Sequence, residues 1–514
     1  MASRPPKILN LKEGSKTKVL MTYPEYPDTF WSFRRALSFT GKKAVFPPLG
    51  LLTVSNMLPS DWEKKLVDLN VMKLRDSDIE WADIVMVSAM IVQEESAEKI
   101  ISRAKAAGKT VIAGGPLFTN QKEETAGVDH FVLGEAEVTL PRFLADFARG
   151  ETRRRYEQNG EWPSLELTPL PDWSLIDFRD YTTMAIQNSR GCPHKCEFCD
   201  IRITFGQKPR LKAAEQLIAE IQHIYDAGWR GTIFIVDDNF IGNIPKIKAM
   251  LPALVEWQSR HGYPYKFMTE ADIRLAEHPD LMALMSSANF YKVFIGIETP
   301  SQESLRECAK LQNVKVNPLQ AVQTIMTYGM NVMIGVIVGF DADAKRQDIF
   351  ADHIEYIKEL GTPAAMVGLL AVLPNTDLEK RLSEEGRLLE RTRGENAGQL
   401  TFVPTIPAEK LIAGYHQVLQ TIYSPQIYYQ RVEEFLRHYR PTVRKSVGRH
   451  NLRDIRALFL SMFRIGLFSR NAFRYWRMLI KVLMTKPKAF SETVELIIWG
   501  WHFESVAHRI AREG

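Results

Sequence analysis

Cysteine is scarce in this chain of 514 residues, which has only four, and three of them lie within eight positions of one another. A secreted protein held by disulfides distributes paired cysteines along its length. This pattern therefore excludes a disulfide framework and indicates a reducing compartment and a metal site. The first eighteen residues are polar and basic, without the apolar segment of a signal peptide. No apolar run approaches the ~18 residues that a spanning helix needs, so we expect a cytoplasmic protein.

Charge is unevenly distributed. The formal net charge is +5, yet residues 431–514 hold 17 Lys+Arg against 7 Asp+Glu, which leaves the remainder at −5. Between Arg453 and Lys481, basic residues alternate with aromatic and aliphatic ones, a pattern typical of helices that lie on an anionic membrane surface. The alternative is a helix packed on its own protein with solvated basic residues. No nucleic-acid-binding module is recognisable, so no nucleic-acid partner is expected.

Alternating strand and helix patterns predict an α/β protein. Its N-terminal part reads as a Rossmann-like parallel sheet, and six later βα units fit a partial (β/α)6 barrel with its chemistry at the carboxyl ends of the strands. A second doubly wound sheet is the alternative for these units. The last region is mostly helical. The predicted divisions are a tail (1–16), a Rossmann-like domain (17–150), a proline-rich linker (151–178), the barrel (179–385) and a helical basic domain (386–514).

The three clustered cysteines follow a predicted strand, Thr183–Asn188, in the segment Asn188-Ser-Arg-Gly-Cys192-Pro-His-Lys-Cys196-Glu-Phe-Cys199-Asp. Three thiolates hold three irons of a [4Fe–4S] cluster and leave the fourth iron open. An open iron can chelate S-adenosylmethionine, and one electron from the cluster then cleaves the sulfonium to a 5′-deoxyadenosyl radical. A zinc knuckle usually needs four ligands, and His194 is poorly placed to be the fourth. An electron-transfer cluster usually needs a fourth cysteine ligand, and Cys308 is the one cysteine left in the sequence that could supply it.

With Phe198 before its last cysteine, this motif resembles the radical S-adenosylmethionine superfamily. The C-terminal region, including Tyr428-Tyr429 and Trp499-Gly-Trp-His502, is similar to an uncharacterised domain in a branch that includes hopanoid methylases. The N-terminal half resembles the cobalamin-binding domain of the same branch in four segments, Pro47-Pro48-Leu49-Gly50, Asp68-Leu69-Asn70-Val71, Ala113-Gly114-Gly115-Pro116 and Leu133-Gly134-Glu135-Ala136-Glu137.

The resemblance implies contacts to S-adenosylmethionine at the ends of several strands. Glu270, at the end of the third barrel strand, is the candidate catalytic residue and faces either cofactor or substrate. The residues expected to bind S-adenosylmethionine are Phe198, Arg210, Asp237, Asn239, Glu298 and Gly335.

The cobalamin domain departs from a common pattern, because it lacks the Asp-x-His-x-x-Gly motif whose histidine ligates cobalt. His130 is the only histidine among the first 150 residues, and it begins a predicted strand. We therefore expect cobalamin without a protein histidine ligand; the alternative is a Rossmann-like domain that binds nothing. Ser88 and Met90 are candidates to contact the lower face of cobalamin. The candidates for the nucleotide tail are Gly114, Gly115, Gly134 and Glu135.

The resemblance implies a cobalamin-dependent C-methyltransferase acting on an unactivated carbon. One S-adenosylmethionine would methylate the cobalamin, and a second would yield the radical that removes hydrogen from the substrate. A large apolar substrate, lipid-like or tetrapyrrole-like, suits the C-terminal region. The expected partners are an electron donor such as flavodoxin or ferredoxin and the inner membrane face, contacted peripherally. The alternatives are a radical rearrangement, cyclisation or C–C coupling without methyl transfer, and a non-catalytic iron–sulfur membrane adaptor.

Overall fold

A computed structural model describes residues 16–121, 125–160, 162–389, 399–442 and 452–513. The N-terminal unit is a parallel sheet in the order β2-β1-β3-β4-β5-β6. Its strands are short, mostly aliphatic and buried, as expected when helices cover both faces. The strands are β1 (Lys18–Tyr23), β2 (Glu63–Asp68), β3 (Ile84–Ser88), β4 (Thr110–Gly114), β5 (His130–Val132) and β6 (Arg155–Tyr156). The helices are α1 (Arg34–Thr40), α2 (Leu49–Ser55), α3 (Asp76–Trp81), α4 (Glu94–Ala106), α5 (Pro116–Asn120) and α6 (Ala136–Arg149).

Strand β6 lies inside the segment 151–178 that the sequence predicts as a linker. It pairs in parallel with β5, and Tyr156 is buried against the sheet. The prolines that indicate a linker, Pro163, Pro169 and Pro171, all follow β6. A strand of two residues is too short for a recognisable alternation of polar and apolar residues, so its sheet partner defines it.

The second unit is an open parallel sheet in which six strands follow one another in chain order, as in a partial barrel. This architecture confirms the predicted α/β class with a half-barrel. Its strands are β7 (Thr183–Ile186), β10 (Gly231–Ile235), β11 (Tyr265–Glu270), β12 (Phe290–Glu298), β13 (Asn331–Val338) and β14 (Ala365–Leu369), while β8 (Ser189–Arg190) and β9 (Arg210–Leu211) form a separate antiparallel pair. Its helices are α7 (Ile201–Thr204), α8 (Ala214–Asp226), α9 (Ile244–Arg260), α10 (Pro279–Ser287), α11 (Gln302–Glu307), α12 (Leu311–Val314), α13 (Pro318–Thr327), α14 (Ile349–Leu360) and α15 (Asp377–Glu384).

The C-terminal region is helical, as predicted, with α16 (Ala408–Ile422), α17 (Pro425–His438), α18 (Leu452–Arg464), α19 (Ala472–Thr485) and α20 (Phe490–Glu513). Helix α20 joins the other units. Its Trp499 ring lies 4.9 Å from Phe33 beside α1, and Glu495 pairs at 2.6 Å with the buried Lys292 of β12. Among the described helices, none has the length and apolar character needed to cross a membrane.

Candidate radical and cobalamin site

Two acidic residues that follow β10 hold the start of the cysteine loop. The buried Asp237 carboxylate accepts the backbone N–H groups of Asn188 and Ser189 at 2.7 and 2.8 Å, and Asp238 accepts that of Gly191 at 3.0 Å. Burial, together with the charge of neighbouring Asp237, raises the pKa of Asp238 to about 7. The loop that carries Cys192, Cys196 and Cys199 is thus attached to the barrel at the carboxyl end of its strands.

The three thiols are partly accessible and lie among cationic and amide groups. Gln312 directs its side-chain N–H toward the Cys196 sulfur at 3.6 Å, and Asn239 directs its own toward Cys192 at 3.9 Å. Burial raises the pKa of the Cys199 thiol to about 12, so a bound metal is needed to keep it a thiolate at neutral pH. Three sulfurs surrounded by N–H donors fit a [4Fe–4S] cluster. Within the described ranges, no three Cys, His, Asp or Glu side chains are grouped to hold a single metal ion.

Cys308 does not join this set. It ends α11, is 1% exposed, and its thiol lies 3.7 Å from the Leu305 carbonyl. Its neighbours are apolar and include Phe198, whose ring lies 6.1 Å from that of Phe340. Phe198 therefore sits between the cysteine loop and this apolar cluster, and the backbone N–H of Glu197 donates to the Cys308 carbonyl at 2.9 Å.

Glu298 ends β12 in a left-handed backbone conformation, with a φ of +67°, which is rare for a residue with a side chain. Its carboxylate pairs at 2.6 Å with the ammonium of Lys310. Burial opposes the charge of Lys310, but Glu298, Cys196 and Cys199 together raise the pKa of its ammonium above the ordinary value. A Cβ added to Gly296 would lie 2.3 Å from the Glu298 carboxylate, so glycine leaves room for this ion pair.

Half-buried side chains alternate along the barrel strands and share the concave face of the sheet. Phe46 of the N-terminal unit packs at 5.1 Å against Phe234 of β10, and Trp31 packs at 5.0 Å against Phe294 of β12. A Cβ on Gly335 would meet the Phe294 ring at 2.9 Å. The N-terminal unit therefore contacts this face of the barrel sheet through aromatic rings. We name these four aromatic residues the aromatic lining.

Glu270 ends β11 on the same face. No hydrogen bond or ion pair to its carboxyl group is found in the described part of the chain, and its main-chain oxygen accepts from Phe240. Burial raises the pKa of Glu270 to about 8, with additional contributions from Asp238 and Asp237. A carboxyl group with this pKa is mostly protonated at neutral pH and can donate a hydrogen bond.

Two predicted cofactor contacts, Arg210 and Glu135, instead meet each other. Glu135 accepts from Arg210 at 3.0 Å and from Arg190 at 2.6 Å, and Arg190 also binds Glu137 at 2.8 Å. These four side chains have side-chain exposures of 15% or less. They join the loop after β5 to the β8–β9 pair, and we call them the interdomain ion network.

The other predicted cobalamin contacts follow β3, β4 and β5. Met90 is 46% exposed, its sulfur accepts from the Tyr26 hydroxyl at 3.5 Å, and Ser88 lies near Gly115. Gly115 and Gly134 have φ values of +89° and +84°, and a Cβ on Gly114 would meet the Val132 carbonyl at 2.9 Å. The loops therefore require glycine. His130 is buried and bonded at 2.7 Å to the Arg153 carbonyl, so its ring points into the fold.

The chain matches three protein families: the B12 binding domain over residues 42–144, the radical SAM superfamily over 186–383 and a domain of unknown function (DUF4070) over 376–514. It is 39% identical over 492 residues to an uncharacterized methyltransferase of Synechocystis sp., covering 95% of this chain and 91% of that protein. It is 31% identical over 477 residues to the hopanoid C-2 methylase of Rhodopseudomonas palustris, covering 91% and 89%.

This chain belongs to the cobalamin-dependent radical S-adenosylmethionine family. Solved structures share the fold. The radical enzyme OxsB with aqua-cobalamin and S-adenosylmethionine bound has a TM-score of 0.60 at 14% identity and covers 97% of this chain and 80% of that one. The methyltransferase TsrM from Kitasatospora setae has a TM-score of 0.55 at 13% identity, covering 73% and 78%. The family confirms the prediction of an enzyme and of its cofactors, a [4Fe–4S] cluster, S-adenosylmethionine and cobalamin.

Sequence reasoning missed Lys310, Gln312, Arg190 and Glu137. Lys310 lies in the short segment between α11 and α12, and Gln312 lies in α12, both far in sequence from the cysteines. Arg190 precedes the cysteine motif and Glu137 follows Glu135 by two positions, so a signal was present for both. In the sequence alone these two charged residues look like ordinary surface residues, because their partners lie in the other unit.

Proposed function

We propose that this radical enzyme methylates an unactivated carbon of a large apolar substrate, lipid-like or tetrapyrrole-like. The observation that carries the proposal is the aromatic lining between the two units. Aromatic side chains in a binding site bury apolar substrates, while a few polar groups fix their orientation. Similarity to a hopanoid C-2 methylase supports an apolar substrate.

The bound cluster and S-adenosylmethionine would supply a radical that abstracts hydrogen, and cobalamin would supply the methyl group. In the proposal, Cys192, Cys196 and Cys199 hold the cluster. The side chains and backbone that would bind S-adenosylmethionine are Phe198, Asn239, Glu298 and Gly335. Those that would contact cobalamin are Ser88, Met90, Gly114, Gly115 and Gly134.

Three residues receive positioning roles in the proposal, because their polar atoms already have protein partners. Asp237 orients the cysteine loop through four hydrogen bonds from Asn188 and Ser189. Arg210 and Glu135 bind each other and fix the distance between the cobalamin-binding unit and the barrel. A reaction that uses both cofactors requires that distance to be constant, since a misplacement of about 1 Å can lower the rate about a hundredfold.

Glu270 is the proposed catalytic residue. Its protonated carboxyl group would donate a hydrogen bond to an oxygen of substrate or cofactor inside the aromatic lining. The proposal also includes an external electron donor, such as flavodoxin or ferredoxin, and a peripheral contact of the C-terminal region with the inner membrane face.

The test is incubation of the reduced, reconstituted enzyme with lipid extracts and methyl-labelled S-adenosylmethionine, followed by mass spectrometry. A labelled lipid formed together with 5′-deoxyadenosine is expected. Formation of 5′-deoxyadenosine with an altered but unlabelled product would instead establish a rearrangement, cyclisation or coupling. Absence of 5′-deoxyadenosine with every substrate would leave the adaptor alternative.

A further inference from the structure

The α18–α19 hairpin has apolar side chains on two opposite sides. Its inner side packs on the protein through buried residues such as Ser461, Ile465, Tyr475 and Met478. Its outer side carries nine large apolar residues that stay exposed, Ile455, Phe459, Phe463, Leu467, Phe468, Phe473, Ile480, Leu483 and Met484. We call these nine residues the outer apolar face. A helix on an ordinary protein surface has polar residues in such positions.

The hairpin is preformed and well anchored. The Tyr475 hydroxyl bonds to the Ser461 hydroxyl at 2.8 Å inside the hairpin, and the Trp476 indole N–H donates to the Gly466 carbonyl at 3.0 Å across its turn. The rings of Phe463 and Phe468 pack edge to face at 4.7 Å. The exposed side chains therefore belong to a defined surface.

The charge around the outer apolar face identifies its partner. Residues 452–490 contain nine Lys+Arg and a single acidic residue, Asp454. Arg477 and Lys481 pair with Glu433 of α17 at 2.8 and 3.2 Å. Arg470 and Lys488 are exposed and have no ion-pair partner among the residues that the structure describes. Two copies of so basic a face would repel each other, whereas an anionic lipid surface attracts it.

The hairpin also contacts the part of the N-terminal unit that carries a residue of the aromatic lining. Helix α18 packs on α1, where Arg464 donates to the Ser38 hydroxyl at 2.8 Å. The chain just before α1 contains Trp31, which belongs to the aromatic lining. Helix α1 and the residues just before it therefore connect the hairpin with the aromatic lining.

We propose that the outer apolar face inserts into the interfacial region of an anionic lipid bilayer and delivers a lipid-like substrate to the active site. The docking specifies the membrane contact that the proposed function includes, and the delivery step rests on the proposed methylation. Aromatic and aliphatic side chains enter the boundary between headgroups and acyl chains, and the basic residues contact the anionic headgroups.

Liposome flotation of the full-length holoenzyme tests the docking. The wild type is expected to float with vesicles of phosphatidylglycerol and phosphatidylcholine at low salt, less at high salt, and weakly with phosphatidylcholine alone. The triple variant F463S/F468S/F473S should bind at least about a hundredfold more weakly, because three large apolar side chains lose their burial in lipid. A matched control, L167S/L389S/V403S, replaces equally exposed apolar residues elsewhere and should float like the wild type.

Two further measurements separate the alternatives. The variant R470Q/K488Q should lose part of the salt-sensitive binding and keep its binding to neutral vesicles. The molar mass in solution should be the same for the wild type and F463S/F468S/F473S. If the wild type is a multimer and this variant is a monomer, a second copy covers the face and the proposal is overturned. Equal flotation of the wild type and this variant would also overturn it.

Delivery is tested with the same triple variant. Its methylation of substrate embedded in vesicles should fall in proportion to binding, while methylation of the same substrate in detergent micelles should match the wild type. Equal loss in both would contradict delivery. If no substrate is methylated by the wild type but flotation behaves as expected, the proposed function fails and the docking surface stands.

Discussion

Of the four cysteines, three are expected to bind iron, whereas Cys308 is not. Three thiols lie in a polar, partly accessible loop, and the fourth is enclosed by apolar side chains. Burial raises the pKa of the Cys308 thiol well above its ordinary range. Its apolar surroundings favour the protonated thiol, which donates to the Leu305 carbonyl.

We expect about four irons per chain after anaerobic reconstitution of the wild type, since one cluster contains four irons. Replacement of Cys192, Cys196 or Cys199 by Ala should abolish most of this iron. Cys308→Ala is the matched control and should leave the iron content unchanged. Iron and sulfide analysis with electron paramagnetic spectra measures both. A loss for Cys308→Ala equal to that for Cys192→Ala would show that the ligands are wrongly assigned.

Glu270 makes stability depend on pH in a defined direction. Its pKa is about 8 in the folded chain and has the ordinary lower value after unfolding. Between these values the folded state keeps a proton that the unfolded state has released, so the stability contributed by this group falls as pH rises and levels off above pH about 8.

Glu270→Gln keeps the neutral form at every pH. In anaerobic denaturation, the variant should therefore unfold at a higher urea concentration than the wild type. This difference in midpoint should be small near pH 5 and grow toward pH 8. Glu303→Gln, on the exposed side of α11, controls for the loss of a carboxylate. A gain independent of pH would mean that Glu270 is ionised in the folded enzyme.

At the scale of elements, the irregular end of β12 positions an ion pair. The register with β13 shifts between Gly296 and Glu298, which lets the Glu298 carboxylate turn back toward Lys310. Such irregularities often redirect a side chain next to an active site. Here the redirected pair lies close to two cluster cysteines.

Gly296→Ala should weaken binding of S-adenosylmethionine about tenfold while the barrel stays folded, an effect of ~1.4 kcal/mol. The added Cβ meets only the ends of the Glu298 and Lys310 side chains, so it displaces the ion pair and spares the backbone. Gly368→Ala in β14 is the matched control, because nothing lies within 4 Å of its added Cβ. Equilibrium dialysis measures the affinity, and equal affinities would contradict a role for the pair.

We expect the loops after β1 and β3 to lie beside the lower face of cobalamin. They carry no histidine, and the ring of His130 in β5 is bonded to Arg153 inside the fold. The electron paramagnetic spectrum of the cob(II)alamin form should therefore lack nitrogen superhyperfine splitting. The same spectrum of His130→Phe should be unchanged. Clear nitrogen splitting in the wild type would refute this prediction, and failure to bind any cobalamin would favour the domain that binds nothing.

At the scale of the whole molecule, the interdomain ion network connects the cobalamin-binding unit with the cysteine loop. Arg190 stands two residues before Cys192 and contacts Glu135 and Glu137 of the other unit. Burial raises the pKa of Glu137, but its bonds from Arg190 and Thr168 outweigh this and lower it overall. Glu137 is therefore charged and depends on Arg190.

Arg190→Met should lower the free energy of unfolding by about 3 kcal/mol, because it leaves the buried Glu137 carboxylate without its cation. It should also reduce the cobalamin retained after gel filtration. Arg149→Met removes a largely exposed cation from α6, the helix that also carries Glu137, and should cost less than about 1 kcal/mol. Urea denaturation and absorbance of bound cobalamin measure the two effects. Equal stability of the two variants would show that the network contributes nothing.

The sequence by itself determined the strands and the chemistry of the cysteine motif. The sequence predicts strands at Ile84–Ser88, His130–Val132, Tyr265–Glu270 and Asn331–Val338, and β3, β5, β11 and β13 have these bounds. Each is a short, mostly apolar run bounded by small or polar residues. The spacing of the three cysteines is likewise local information, since one loop carries all of them.

Only the tertiary structure decided which distant residues meet. The sequence gives Arg210 and Glu135 as separate cofactor contacts, yet folding places them against each other across two units. Lys310 reaches the cluster cysteines through a connection more than a hundred residues later in the chain. The exposure of the outer sides of α18 and α19 is likewise decided by how distant parts of the chain pack. Hydrophobic periodicity indicates that a helix has an apolar face. Whether another element covers that face depends on the packing of parts of the chain that are remote in sequence.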